Sequence, residues 1–325
     1  MQSSEIFQIK SSGQFDELAL KMFDYQMENN LVYNKFCTLL GVTKGSVKSV
    51  KNIPFLPIQF FKEHRVLASE KDIEATFSSS GTTGSITSKH YVTDLSIYEQ
   101  SFMQSFQLHY GNIKDYTVLA LLPSYLERSG SSLIYMVDYL IKKSEKPDSG
   151  FYLNNYSALS EKIKTLDNAG AKTLLIGVSF ALLDLTEQFE FNLKHTLVME
   201  TGGMKGRRKE LVREELHSIL KKGFGVSHIH SEYGMTELLS QAYSTGEGIF
   251  TTPPWMQIQI RDTEDALTPI PENKTGGINV IDLANIYSCP FIATQDLGKK
   301  LSDNRFEVLG RFDQADIRGC NLMVL

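Results

Sequence analysis

Between residues 116 and 230, short apolar segments alternate with segments of helical spacing, and this alternation limits the folds open to the chain. Short buried strands separated by helices are typical of an α/β fold with a mostly parallel sheet flanked by helices. Ligands of such sheets bind beyond the carboxyl ends of the strands. The loops after the last two predicted strands are therefore candidates for a binding site. The predicted strands are 116–122, 173–178, 196–200 and 226–230, and the predicted helices are 130–143, 180–189 and 205–222.

The sequence on either side of this region predicts further elements. Apolar periodicity favours helices at 15–40 and 95–111, and a strand at 89–93. Prolines exclude regular helix from 52–61, so we predict an extended connector there. From residue 250 onward, Pro, Gly and Asn separate short strands, which indicates a small antiparallel or barrel-like subregion.

Composition narrows the classes of function. Hydrophobic residues make up 42% of the 325 residues, enough for a full core, and the net charge of −5 argues against a nucleic-acid surface. No apolar run approaches the length of a membrane span, and the N-terminus does not resemble a secretion signal. Cys37, Cys289 and Cys320 form neither a disulfide framework nor a zinc spacing, and the first two are predicted to be buried. We expect a cytoplasmic location.

A stretch rich in hydroxyl side chains and glycine follows Phe77. Glycine lets the backbone approach a ligand closely, and hydroxyls with bare amides form a concave donor surface for phosphate oxygens. The stretch is not a Walker loop, because no Gly-Lys-Ser/Thr sequence closes it. A mobile Ser/Gly connector is the alternative interpretation. The candidate phosphate-binding residues are Ser79, Ser80, Gly81, Thr82, Thr83 and Gly84, with Lys89 a short way downstream.

Three later motifs suit the other parts of a nucleotide triphosphate. In Tyr233-Gly234-Met235-Thr236-Glu237, a hydroxyl and a carboxylate stand side by side, and both are hard oxygen ligands suited to Mg²⁺. Asp296 could accept hydrogen bonds from ribose hydroxyls. Arg311, in Gly-Arg-Phe-Asp, could donate to the ribose or to a phosphate. His228 and His230 could form a metal pair, but two histidines without further ligands are more often structural.

The order of these motifs and the residues that they contain resemble the adenylate-forming superfamily, and within it the LuxE-like acyl-protein synthetases of fatty-acid reductase complexes. The resemblance extends from about Ile53 to the end of the given sequence. Besides the four motifs, it is carried by Pro54–Lys62, Thr201-Gly202-Gly203, Pro253-Pro254-Trp255 and Arg318–Leu322.

The resemblance implies a fold and a division of the chain. The fold would be the large N-terminal domain of an adenylate-forming enzyme, with an adenylate-forming core at 1–310 and a hinge with a truncated tail at 311–325. Relatives usually continue past the hinge into a mobile lid that supplies a lysine, and we expect this lid to be absent.

The resemblance also implies a two-step acyl transfer that uses ATP and Mg²⁺. A carboxylic acid, by expectation a fatty acid, would form acyl-AMP, and a thiol would then displace AMP. The implied catalytic residues are Thr236 and Glu237 at the metal and α-phosphate, and Cys320 as the acyl acceptor. Tyr233 would lie against the adenine. The other implied nucleotide-binding residues are Lys89, Gly202, Gly203, Gly234, Asp296 and Arg311.

Three functions remain open at this point. The chain could load Cys320 and deliver the acyl group to a partner, which in the family is an acyl reductase. It could instead be an acid–thiol ligase that uses CoA or a carrier protein, with Cys320 an ordinary cysteine. It could also be a non-catalytic nucleotide-binding subunit.

Overall fold

A computed structural model describes residues 3–79, 86–122, 130–153, 155–202, 208, 211–302 and 304–312. Within these ranges the helices are α1 (Ser12–Asn29), α2 (Leu31–Leu39), α3 (Phe60–Glu63), α4 (Leu95–Tyr110), α5 (Ser132–Ser144), α6 (Tyr156–Asn168), α7 (Ser179–Gln188) and α8 (Arg213–Phe224). The strands are β1 (Leu56–Pro57), β2 (Ala75–Ser78), β3 (Lys89–Val92), β4 (Thr117–Leu121), β5 (Gly150–Phe151), β6 (Thr173–Val178), β7 (Thr196–Thr201), β8 (His230–Tyr233), β9 (Ala242–Ser244), β10 (Ile249–Thr251), β11 (Met256–Arg261), β12 (Thr275–Asp282), β13 (Phe291–Lys300) and β14 (Arg305–Arg311).

The chain forms two compact units that interleave in sequence. The first unit contains the residues up to Ser101, the segment Met235–Ser240 and the residues from Thr251 onward. The second contains Phe102–Gly234 and Gln241–Phe250. The chain therefore changes unit inside the Tyr233–Glu237 motif, between Gly234 and Met235.

The second unit is built on parallel strands in the order β8-β7-β6-β4-β5, and β9 runs antiparallel beside β8. Every side chain of β4 and β6 is buried, as expected when helices cover both faces of a parallel sheet. The prediction of a mostly parallel α/β region is confirmed here.

The sheet of the first unit is built mainly on antiparallel strands. Strands β11, β12, β13 and β14 pair in sequence order, and β1 lies parallel to β13. Strands β2 and β3 form a separate antiparallel hairpin. The antiparallel region that we predicted beyond residue 250 is confirmed.

The predicted helix at 15–40 is two helices, because Asn30 interrupts it. Asn30 has an extended backbone and caps α2 through its side chain, which accepts from the Tyr33 amide. The Asn30 side chain also donates to the Ser288 carbonyl at 2.9 Å, and Gln26 donates to the Ile286 carbonyl at 2.6 Å. Both side chains are buried, so these long-range hydrogen bonds satisfy polar groups that cannot reach water.

The strand predicted at 226–230 lies later in the chain than expected. Helix α8 ends at Phe224, and the next residue, Gly225, has a left-handed backbone (φ 68°). The Val226 amide donates a hydrogen bond to the Lys221 carbonyl. Residues 226–229 connect the helix to the strand without regular secondary structure, and β8 begins at His230. Within 205–222, residues 208, 211 and 212 are not helical, and α8 starts at Arg213. In the predicted connector, residues from Phe60 form the short helix α3.

Among the described residues, no helix combines the length and hydropathy that crossing a membrane requires.

Candidate functional site

The hairpin of β2 and β3 frames the Ser/Thr/Gly stretch. Ser78 pairs with Lys89, and beyond this pair the Ser79 amide donates to the Ser88 carbonyl at 3.1 Å. The Ser88 amide donates in turn to the Ser79 hydroxyl oxygen at 2.9 Å. Ser79, predicted to bind phosphate, thus also closes the base of the loop. Lys89 is exposed at the start of β3.

The Thr236–Ser240 segment has no regular secondary structure, so buried side chains of the first unit provide its hydrogen bonds. The Thr236 carbonyl lies 2.8 Å from His90 Nδ1, and Asn285 Nδ2 donates to the Glu237 carbonyl at 2.7 Å. A carbonyl can only accept, so His90 carries its proton on Nδ1. Burial lowers the pKa of His90 to about 4, against the opposing effects of the Thr236 carbonyl and the Asn285 side chain, so the ring is neutral near pH 7.

Asp282 holds the end of the same segment. Its carboxylate accepts from the Leu239 amide at 2.8 Å and from the Ser240 hydroxyl at 2.5 Å. Burial raises the pKa of Asp282 to about 6, although these hydrogen bonds favour the charged form. The turn that carries Thr236 and Glu237 is therefore fixed on both sides by groups with no access to water.

Glu237 is the buried acidic group of the predicted nucleotide site, with 5% of its surface exposed. Burial raises its pKa, the Ser88 side chain and the positive charge of Arg311 oppose this effect, and the negative charge of Asp296 adds to it. The structure thus brings together four residues of separate sequence motifs: Glu237, Ser88 beside the Ser/Thr/Gly stretch, Asp296 and Arg311.

Asp296 and Arg311 are cross-strand partners in β13 and β14. Arg311 is exposed and donates to the Gln295 side chain at 3.1 Å. Arg261 lies near Asp296 but is buried, and it donates to the Thr294 carbonyl at 2.6 Å. Burial lowers the pKa of Arg261, and Asp296 opposes the shift. Arg261 was not predicted from the sequence, although a cation at the end of the alternating strand β11 (Met-Gln-Ile-Gln-Ile-Arg) was a visible signal.

In the second unit, Gly202 and Gly234 follow β7 and β8 at the same edge of the sheet, because Thr201 pairs with Glu232. Gly202 has a left-handed backbone (φ 69°), and its carbonyl accepts from the Ser179 hydroxyl at 2.7 Å. A side chain at Gly234 would come within 2.5 Å of the Glu232 carboxyl. Tyr233 is buried, and its ring centroid lies 6.0 Å from that of Phe250.

Two carboxyl groups lie at this carboxyl edge, Glu200 buried and Glu232 half-buried, and their environments differ. Arg213 donates to Glu200 at 2.7 Å, and its positive charge, with hydrogen bonds from His217 and Ser231, outweighs burial and lowers the pKa of Glu200. Among the described residues, no cation lowers the pKa of Glu232 in this way. Burial raises its pKa to about 7, Glu200 adds to the shift, and a 2.5 Å hydrogen bond from Thr201 opposes it. Glu232 was not predicted from the sequence, where it looks like any acidic residue.

We expect Glu232→Gln to remove a pH dependence of stability. The folded pKa lies above the unfolded one, so the folded state holds a proton that the unfolded state loses. Wild-type stability should therefore fall between about pH 4.5 and pH 7, by roughly 3 kcal/mol at most. Gln mimics the protonated carboxyl, so the variant should lack this slope and be more stable than wild type at pH 8. Denaturant titrations across this pH range measure the slope, with exposed Glu190→Gln as the control. Equal slopes in all three proteins would contradict the assignment.

Several predicted site residues lie outside the described residues: Ser80, Gly81, Thr82, Thr83, Gly84, Gly203 and Cys320. Cys37 and Cys289 are buried, as predicted. In the described part of the chain, no three His, Cys, Asp or Glu side chains are grouped as a metal-binding cluster. His230 lies in β8, whereas His228 precedes the strand, so the two histidines do not lie on one strand.

Comparison with known proteins bears on the identity of the chain. Residues 7–118 match the family model described as acyl-protein synthetase, LuxE. The long-chain-fatty-acid–luciferin-component ligase of Vibrio harveyi is 25% identical over 330 residues, which covers 92% of this chain and 84% of that protein. The LuxE-like resemblance is confirmed.

Solved structures show what fold the chain adopts. An open form of 2-hydroxyisobutyryl-CoA ligase, in complex with 2-HIB-AMP and CoA, matches 94% of this chain and 76% of its own length, with a TM-score of 0.67 and 11% identity. ATP-bound MatB from Rhodopseudomonas palustris matches 75% of this chain with a TM-score of 0.56 and 18% identity. The match spans only 49% of MatB, about half of its length. The fold class of adenylate-forming enzymes is confirmed.

Proposed function

We propose that this chain is an ATP-dependent acyl-protein synthetase that activates a carboxylic acid, by expectation a fatty acid, as acyl-AMP and then forms a thioester. The observation that carries the proposal is the position of Glu237. The buried carboxylate of Glu237 accepts a hydrogen bond from Ser88 and lies within electrostatic range of Asp296 and Arg311. The sequence assigns Glu237, Asp296 and Arg311 to separate parts of one nucleotide site.

In the first step, a carboxylate oxygen of the acid attacks the α-phosphorus of ATP and pyrophosphate leaves. The Ser/Thr/Gly stretch and Lys89 would donate to phosphate oxygens, and Asp296 would accept from the ribose. Tyr233 would lie against the adenine, Gly234 would bind the nucleotide, and Arg311 would donate at its ribose end. Fixed donors of this kind stabilise the negative charge that grows on the phosphate during attack.

The donor set also fits a magnesium ion. Glu237 offers a buried carboxylate whose pKa is raised by burial, and Thr236 offers a neighbouring hydroxyl. A divalent cation would offset the cost of burying the Glu237 charge, and hard oxygen ligands are those that Mg²⁺ prefers. When bound, Mg²⁺ would neutralise charge on the phosphates.

In the second step, the Cys320 thiolate attacks the acyl carbonyl, the thiol proton goes to solvent, the C–S bond forms and AMP leaves. The two other cysteines are unsuited to this role because they are buried. Burial raises the pKa of Cys37 to about 11, against a hydrogen bond from Tyr33, and raises the pKa of Cys289 as well. A thiol in such an environment is not a thiolate at neutral pH.

The remaining parts of the proposal are the partner, the location and the domains. An acyl reductase or a carrier protein would receive the acyl group, and the chain would act in the cytoplasm. Residues 1–310 would form the adenylating core, and 311–325 would be the hinge and the segment that presents Cys320.

ATP–pyrophosphate exchange tests the first step. Exchange that requires Mg²⁺ and increases on addition of a carboxylic acid is expected, and a panel of acids of different chain lengths would identify the substrate. Exchange that no acid in the panel stimulates would contradict the proposal and favour a non-catalytic nucleotide-binding subunit. If exchange occurs but only added CoA receives the acyl group, the chain is an acid–thiol ligase.

A further inference from the structure

A small cavity in the first unit lies against the turn that carries Thr236 and Glu237. His90, Thr93, Leu239 and Asn285 contribute to its lining. Its volume is about 10 Å³, close to the space that one water molecule requires. The cavity is therefore large enough for one small polar molecule.

Three lining residues carry a buried polar atom without a hydrogen-bond partner among the described residues: His90 Nε2, Thr93 Oγ1 and Asn285 Oδ1. His90 and Asn285 are fully buried, and Thr93 is 2% exposed. Buried polar atoms are nearly always hydrogen-bonded, because leaving one unpaired costs the full energy of removing it from water. Three such atoms around one cavity point to a shared partner.

The known hydrogen bonds of these side chains determine what the partner must be. His90 donates from Nδ1 to the Thr236 carbonyl, and in this tautomer of the imidazole ring Nε2 is an acceptor. Asn285 donates from Nδ2 to Glu237, so Oδ1 is also an acceptor. Two acceptors cannot bond to each other. A group that donates two hydrogen bonds and accepts one from the Thr93 hydroxyl would satisfy all three atoms, and water has this capacity.

We propose that one water molecule binds in this cavity, donates to His90 Nε2 and Asn285 Oδ1, and accepts from Thr93 Oγ1. The water holds the two side chains that in turn hold the Thr236 and Glu237 carbonyls. His90, Asn285 and Thr93 are therefore positioning residues for the turn. The positioning role rests on the proposed function, whereas the water site itself does not.

A crystal structure at about 1.5 Å or better tests the water directly. We expect one density peak within hydrogen-bond distance of all three atoms. Absence of a peak would overturn the proposal. A peak that gives an anomalous signal after the crystals are soaked in rubidium chloride would overturn it as well, because the site would then hold a monovalent cation.

Thr93→Val tests the functional consequence, since Val keeps the shape of Thr but cannot donate to the water. We expect the melting temperature to fall by about 2–4 °C. We also expect kcat of acid-dependent exchange to fall roughly three- to tenfold, with KM for ATP unchanged. Thr93→Ser, which keeps the hydroxyl, is the matched control and should behave as wild type.

The possible outcomes test the water site and the positioning role separately. A melting temperature equal to that of wild type in Thr93→Val would overturn the water site. A lower melting temperature with unchanged kcat would overturn the positioning role. If wild type shows no exchange with any acid, the proposed function fails, and the density and the melting temperatures still decide whether the water is bound.

Discussion

Glu237→Gln is expected to lower acid-dependent ATP–pyrophosphate exchange by roughly a hundredfold or more. The substitution keeps the size of the side chain and removes the negative charge that would coordinate the cation and orient the phosphates. Because burial raises the pKa of Glu237, the charged form is unfavourable in the folded protein. Gln should therefore leave the melting temperature at pH 7 unchanged or raise it.

This combination of lost exchange and retained stability distinguishes a catalytic role from a structural one. Glu264→Gln removes an exposed carboxylate of the same unit and should change neither measurement. If Glu237→Gln exchanged as fast as wild type, Glu237 would not act in adenylation. A parallel loss of folding, measured by circular dichroism, would instead make Glu237 a structural residue.

Cys320→Ser is expected to abolish the covalent acyl adduct and to leave ATP–pyrophosphate exchange unchanged. Exchange reports only acyl-AMP formation, whereas the adduct requires the thiol. Intact-mass spectrometry after incubation with ATP, Mg²⁺ and the active acid should show one acyl mass on wild type. Hydroxylamine should remove this mass, because it cleaves thioesters.

Peptide mapping provides the control within the same protein. The adduct should be found on the peptide that contains Cys320, and not on those that contain Cys37 or Cys289, whose buried thiols have raised pKa values. An adduct that persists in Cys320→Ser would refute the assignment. Exchange without any adduct on wild type would point to an external thiol as the acceptor.

Local sequence patterns predicted the type of most elements, because burial and periodicity are local signals. The strand at 173–178 and the helix that follows Asp94 are examples, with β6 at Thr173–Val178 and α4 at Leu95–Tyr110. The errors arose where tertiary contacts decide the outcome. Asn30 breaks a helical pattern because its side chain is needed as a cap and as a donor to a distant carbonyl.

The candidate site was predictable as a set of motifs, but not as a structure. Thr236 and Glu237 stand out in the sequence, whereas His90, Asp282 and Asn285, which hold their turn, do not. These partners are recognisable only once the fold is known, since each acts on a backbone group far away in the sequence. The raised pKa of Glu232 also depends on burial beside Glu200, which no local pattern reveals.

The hydrogen bonds of Gln26 and Asn30 have a consequence for how the protein is made. Their carbonyl acceptors, at Ile286 and Ser288, lie 260 and 258 residues further along the chain. At a translation rate of about 5–20 residues per second, the acceptors follow after roughly 10–50 s. Until these acceptors have been synthesised, helices α1 and α2 cannot complete their buried contacts. By then most of the second unit has already been synthesised. Assembly of the first unit must therefore wait for its C-terminal strands.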